Sequence, residues 1–284
     1  MNTETPPTVA PSVTNSVSPD NPFAEKAREE AVKPENQGPV IIKGKRMRPI
    51  FCYIYGPEGV GKSTFASGAP SPHFLPTERG LDQLDVSRFT QPDSYGEFLE
   101  QLDFLESQKH QFKTFVIDTV DGLEYLIWKQ VCQESSPKVQ SIEQIPYGAG
   151  YSKAKTIWRE LIDRLVTISE RYNVVLLGHA VIKAFSDPSQ LAPYDQWRPR
   201  LHDKSSEAIR EAVDLFGFAC IDIEVFKQQN KSKAIANSGQ RVLHSHPTSA
   251  GYMCKTRFKT FLPDPMPLEW SELRAGVKSF YEQK

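Results

Sequence analysis

Gly56-Pro57-Glu58-Gly59-Val60-Gly61-Lys62-Ser63 is the stretch from which the rest of the chain is read. It spells G-x-x-x-x-G-K-S, which arises by chance in a chain of this length on the order of once in a hundred. Its surroundings sharpen it. Pro49 to Tyr55 is an apolar run with the length of a buried strand, and a helix is expected to begin near Lys62. A buried strand, a glycine loop and a helix start are what phosphate binding requires. The loop's backbone N–H groups converge on phosphate oxygens, and the helix end favours negative charge. Lys62 then reaches the β- and γ-phosphates, and the Ser63 hydroxyl is a magnesium ligand. Gly56, Pro57, Glu58, Gly59, Val60, Gly61, Lys62, Ser63 and Thr64 form the expected nucleotide-binding set, with ATP and Mg²⁺ as its ligands.

Moving outward, the metal needs a second acid. Thr114-Phe115-Val116-Ile117-Asp118 is an apolar strand ending in a carboxylate. Parallel strands present their carboxyl ends to the ligand crevice, so Asp118 is expected to hold Mg²⁺ beside Ser63. Hydrolysis needs a group that orients or deprotonates water. Glu78 follows the short strand His73 to Leu75 and lies 16 residues after Lys62, so it emerges at the same rim. Val174 to Leu177 is a further strand, and His179 stands just past its end. Two readings of His179 stand: a donor to the γ-phosphate that reports its loss to the next loop, or a core histidine bonded to backbone.

Around this centre the chain reads as α/β. Ser94-Tyr95-Gly96-Glu97 is a capping box. Leu123 to Val131, Ala208 to Val213 and the amphipathic stretch through Ile157, Leu161 and Leu165 are helical. Leu215 to Val225, Arg241 to His246 and Tyr252 to Phe258 read as strands, the last two antiparallel. Strands alternating with helices predict a mostly parallel sheet flanked by helices, with a C-terminal antiparallel β extension. Pro137 to Lys155 and Lys183 to Lys204 are read as long polar connections. Residues 1–45 hold seven of the 22 prolines and one aromatic residue, Phe23, and are expected to form a disordered tail ahead of an ATPase domain over 46–284. The four cysteines lack metal-ligand spacing, and no transmembrane or signal segment is read. The expected location is the cytoplasm, with no membrane partner.

At these residues the chain resembles the RecA-type recombinase core. Gly56-Pro57-Glu58 and Phe74-Leu75-Pro76-Thr77-Glu78-Arg79-Gly80-Leu81-Asp82 look like that family's phosphate loop and the segment holding its catalytic glutamate. Gln91-Pro92-Asp93-Ser94 is similar to a segment of bacterial RecA. Val174 to His179 looks like the strand that ends in a γ-phosphate sensor, usually glutamine. The histidine is closer to small phage RecA-like ATPases that act as single-strand-annealing proteins. Cys254-Lys255-Thr256-Arg257 resembles the lysine–arginine pair that ring or filament ATPases insert into a neighbour's site. The resemblance covers roughly residues 46–265, without RecA's N-terminal helix and strand or its C-terminal domain. It implies self-association into a ring or filament, with Lys255 and Arg257 acting across the interface. The alternative for that pair is a basic hairpin edge that discourages aggregation.

Charge points toward nucleic acid. From Val225 to Pro263 there is no Asp or Glu, while seven Lys and Arg side chains are present, so the remainder of a chain of net charge −1 carries −8. Lys231 and Lys233 stand in what reads as a hairpin tip. After His179 come Tyr194, Trp197, Arg198 and Arg200, a mixture of rings and cations suited to single strands. Packing of Trp197 and Tyr194 under the loop is the other reading. Tyr147 to Tyr151, with Lys153 and Lys155, is by resemblance a second DNA loop. The expected function is a DNA-stimulated ATPase of the phage recombinase or annealing kind, with single-stranded DNA as partner. A helicase-like or packaging motor and a non-enzymatic nucleotide-dependent adaptor are the alternatives. A small-molecule phosphotransferase is disfavoured, because no arginine cluster follows the loop.

Overall fold

β1 (Phe51–Gly56) is buried along its whole length, and its side chains divide between two cores. Phe51, Tyr53 and Tyr55 join one apolar cluster, while Cys52 and Ile54 join the other. The two-residue period of a strand produces this division, and a strand covered on both faces reads as an unbroken apolar run. The computed structural model describes residues 43–186, 192–228, 231–248 and 251–283, with side chains left undescribed at 223–228 and 231–238. The tail reading over 1–45 therefore falls almost wholly outside the described residues. The chain divides into Met1–Lys45 and Arg46–Lys284, and the second unit carries all that follows.

The other strands are β2 (Pro72–Pro76), β3 (Ser87–Arg88), β4 (Thr114–Asp118), β5 (Asn173–Phe185), β6 (Tyr194–Pro199), β7 (Leu215–Gln228), β8 (Lys231–His244), β9 (Lys255–Thr256) and β10 (Met266–Pro267). Their order across the sheet is β10-β8-β7-β1-β5-β4-β2-β3. The run from β7 to β3 is parallel, and β8 and β10 add antiparallel strands at one end. This is a P-loop α/β core with an antiparallel extension, the fold class expected from the sequence. Helices α1 (Lys62–Ser67) and α6 (Trp270–Glu282) cover one face. The other is covered by α2 (Tyr95–Ser107), α3 (Val120–Glu134), α4 (Ala149–Ile168) and α5 (Asp203–Ala212). Trp158, Leu161 and Leu165 of α4 are buried, and each such side chain contributes roughly 1.5–3 kcal/mol.

Several local expectations change. Ser94 accepts from the Glu97 backbone N–H at the start of α2, but the Glu97 carboxylate returns to the Asp93 N–H instead of the cap's own. The polar stretch after His179 is a β ribbon: β5 runs on to Phe185 and pairs antiparallel with β6. The segment Pro137 to Lys155 contains two 3₁₀ turns, and its end is already the first part of α4. The expected hairpin tip at Lys231 to Gly239 is strand, with Lys231 and Lys233 paired to β7. Tyr252 to Phe258 contributes only the two-residue β9. The four cysteines are free, three of them buried.

Candidate active site

The loop after β1 is fixed by its glycines and by the core beneath it. Gly59 and Gly61 take φ of +74° and +99°, a region that side chains with a Cβ rarely adopt. Between them Val60 is buried in the same cluster as Phe65, whose ring meets that of Trp270 at 5.7 Å. The loop's apex is thus pinned to α6. Lys62 is buried and donates to the carbonyls of Gly56 at 3.0 Å and Pro57 at 2.9 Å. Burial pulls its pKa down, against the pull of Asp118, Asp121, Glu78 and Glu58.

The loop meets β4 through one short contact: Ser63 Oγ donates to Asp118 Oδ2 at 2.6 Å. β5 lies between β1 and β4 in the sheet, so this contact spans the carboxyl ends of three strands. Burial raises the Asp118 pKa, opposed by the Ser63 hydroxyl, Lys62 and His179. Thr77, at the end of β2, ties β2 to the start of α3. Its hydroxyl donates to the Thr119 carbonyl at 2.5 Å and accepts the Thr119 N–H at 2.9 Å, and its N–H donates to the Asp118 carbonyl at 2.8 Å. Glu78 follows directly. It accepts from Thr119 Oγ1 at 3.1 Å and faces His179 Nε2 at 3.6 Å. Burial raises its pKa, offset mainly by His179.

His179 pairs with Gly56 across β1 and β5, so the sheet itself sets it beside the loop. Arg200 Nη2 lies 2.8 Å from His179 Nδ1. A guanidinium can only donate, which assigns Nδ1 as acceptor and puts the ring proton on Nε2, toward Glu78. Asp121 Oδ2 lies 3.4 Å from the same Nδ1, but that oxygen already accepts the His179 backbone N–H at 2.8 Å. Arg200 also stands 3.4 Å from Glu58 and 3.5 Å from Asp121 Oδ1. A cavity of about 410 Å³ is lined by Glu58, Gly59, Gly61, Lys62, Ser63, Thr64, Glu78, Asp118, His179 and Arg241. That volume suits a small ligand. The donor set suits Mg²⁺: two hard oxygens on Ser63 and Asp118, with the remaining positions left to phosphate and water. Among the described residues no group of three or more His, Cys, Asp or Glu forms a metal cage.

Other residues singled out in the sequence go elsewhere. Lys255 and Arg257 flank the start of β7, at the rim opposite the phosphate loop. The Lys255 ammonium donates to the carbonyls of Arg210, Glu211 and Val213 at the end of α5, a normal task for a cation there. Arg257 pairs with buried Asp214 at 3.2 Å. Tyr151 and Lys153 sit on α4 rather than in a loop. Tyr151 stacks on His202 with centroids 4.7 Å apart, and Lys153 pairs with Glu134 at 3.2 Å. Trp197 packs against Phe218, and its carbonyl accepts from Tyr55. Arg198 lies over the Phe185 ring at 4.4 Å. Arg200, read as a DNA contact, belongs to the phosphate site. The side chains of Lys231 and Lys233 lie outside the described residues. Sequence reasoning missed Thr77, Thr119, Asp121 and Arg241. Asp121 had a faint signal, three residues beyond Asp118 in a first helical turn. Arg241 had none, because it arrives from a strand 180 residues away.

Residues 48–258 match the family described as "AAA domain", and the chain belongs to that family of P-loop NTPases. It is 27% identical over 147 residues to the SPbeta prophage-derived uncharacterized protein YorG of Bacillus subtilis. That match covers 50% of this chain and 43% of YorG, so the chain spans less than half of that relative. The flagellar accessory protein FlaH from Methanocaldococcus jannaschii superposes with a TM-score of 0.31 and 10% identity, over 69% of this chain and 77% of FlaH. Among the described residues no helix is long and apolar enough to cross a membrane.

Proposed function

We propose that this chain is a Mg²⁺-dependent ATP hydrolase of the phage recombination or annealing class, which self-assembles on single-stranded DNA and turns over faster when bound to it. The observation that carries the hydrolase reading is the 2.6 Å contact between Ser63 and Asp118, with Glu78 and His179 beside it. Ser63 and Asp118 would hold Mg²⁺, whose charge would offset the negative charge that develops on the phosphoryl group. Lys62, held low by loop carbonyls, is placed to turn its ammonium to the β- and γ-phosphates. Glu78, oriented by the Thr119 hydroxyl, is placed to position the attacking water, and its raised pKa suits brief proton uptake. His179 offers its Nε2–H to the γ-phosphate.

Coupling to nucleic acid is supported by continuity of the chain. β5 runs from His179 straight into the β5–β6 ribbon, where Ile182 is 53% exposed and Arg198 adds charge, while Lys183 pairs with Asp203 at 3.0 Å. Arg200, at the ribbon's return, donates to the His179 ring. A change at the γ-phosphate would therefore reach the ribbon through one strand and one hydrogen bond. The segment Val225 to Pro263 carries seven cations and no acid, although Lys255 and Arg257 among them are engaged within the fold. Likeness to a prophage-derived protein agrees with the phage class.

The test is ATP turnover with and without single-stranded DNA across a range of protein concentrations, with Lys62→Ala as control. Turnover is expected to rise with DNA and with concentration, and to vanish in the variant. DNA-insensitive turnover with no salt-dependent DNA binding would refute the nucleic-acid half. Absence of Mg-ATP binding would refute the whole reading.

A further inference from the structure

The phosphate cavity has a wall that the reaction described above leaves idle. Leu243 and Arg241 stand two residues apart on β8, so both project from the same face of the strand. Leu243 is fully buried in the cluster that holds Val60 and Phe65, under the phosphate loop. β8 runs antiparallel to β7, which places Arg241 one pleat nearer the rim where the loop stands. There its guanidinium lies against the end of the loop that leads into α1: a Cβ on Gly61 would sit 2.9 Å from Arg241 Nη1 and 3.3 Å from its Cδ. Arg241 lines the same cavity as Lys62, Ser63 and Asp118. Among the described residues its side chain has no hydrogen bond or ion pair. Arg200 is engaged with Glu58, Asp121 and His179, and Lys62 with loop carbonyls.

We propose that Arg241 is a phosphate-binding residue of its own subunit's nucleotide site, contacting the α- and β-phosphates from the side opposite Arg200. The inference rests on the ATP reading of the cavity. Glu78, Asp118 and His179 come from β2, β4 and β5 on one side of β1 and mark the γ-phosphate end, whereas Arg241 comes from β8 on the other side and abuts Gly61, the residue before Lys62. A guanidinium there offers a planar fork to two phosphate oxygens. A contact confined to the α- and β-phosphates is shared by ATP and ADP. It therefore tightens both equally and leaves the γ-phosphate to Lys62 and His179.

The experiment is titration of fluorescent Mg-ATP and Mg-ADP analogues into full-length wild type, Arg241→Ala and Arg241→Lys, with adenosine as competitor. Arg241 is exposed, so both variants are expected to fold, which thermal melting without nucleotide checks. Arg241→Ala is expected to weaken ATP and ADP alike by about 10- to 100-fold, the range for losing hydrogen bonds to a charged group. Arg241→Lys should recover part of that loss, and adenosine should compete equally well in all three proteins. Loss for ATP alone would move the contact to the γ-phosphate and overturn the assignment. Weakened adenosine binding would move it to the base or ribose and overturn the assignment as well. Unchanged affinities in the variant, while wild type binds tightly, would sink this inference and leave the ATP reading standing. Failure of wild type to bind either nucleotide would sink both.

Discussion

Gly122→Ala should harm this protein, although helix propensity alone argues the reverse. Gly122 is the third residue of α3, and replacing glycine by alanine inside a helix stabilises by up to about 1 kcal/mol. Here the added Cβ would lie 2.4 Å from Thr77 Oγ1, 2.9 Å from Thr77 Cβ and 2.9 Å from the Thr77 carbonyl oxygen. The hydroxyl could rotate away, but the carbonyl belongs to the backbone at the end of β2 and cannot. Relief requires α3 and β2 to separate. That strains the two hydrogen bonds between the Thr77 hydroxyl and the Thr119 backbone. Overpacking costs about 1–3 kcal/mol, and each lost hydrogen bond about 1 kcal/mol. With both hydrogen bonds lost and less the propensity gain, the net destabilisation is about 2–4 kcal/mol. Asp118 and Glu78 adjoin the displaced groups, so turnover should fall more than nucleotide affinity. Urea denaturation checks the first claim, and ATP turnover beside nucleotide titration checks the second. A variant with a urea midpoint at or above wild type and full turnover would refute the packing argument.

Nucleotide-free Asp118→Asn is expected to melt higher than wild type near pH 7.5 while losing Mg-dependent turnover. Burial raises the Asp118 pKa in the fold. The stability it contributes is therefore complete below the unfolded value of about 4 and lost as pH rises through the folded value. The gap between variant and wild type should close as pH falls toward 4, and equal melting at every pH would contradict this account. Arg257→Ala should lower the unfolding free energy obtained from urea denaturation by about 1–3 kcal/mol, because it leaves buried Asp214 with Arg48 as its remaining ion-pair partner. Unchanged stability, combined with loss of concentration-dependent turnover, would instead place Arg257 in a neighbour's site.

The phosphate loop and the acid that meets it could be read from the chain because each is local. A buried strand, two glycines with positive φ, and a lysine and serine at the next two positions occupy one short segment. An apolar run ending in Asp118 needs only the rule that parallel strands share a rim. Lys255 and Arg257 show where such reading stops. Their spelling fits a cation pair offered to a neighbour, yet the start of β7 and the end of α5 give both an internal partner. Arg200 shows the converse. On sequence it belongs with rings and cations that follow DNA, but the ribbon folds back and returns it to His179.

The amino-acid order by itself determined the strand–loop–helix unit, the parallel sheet and the identity of Lys62, Ser63 and Asp118. Only tertiary structure decided which of the remaining cations face the nucleotide cavity. Backbone conformation and burial pattern are set within a few residues, so they leave a mark in the sequence. The destination of a long, charged side chain depends on which strand pairs beside it and on which carboxylate or carbonyl lies within reach. Those partners are brought close by sheet register across tens to hundreds of residues, as Arg241 and Gly61 are.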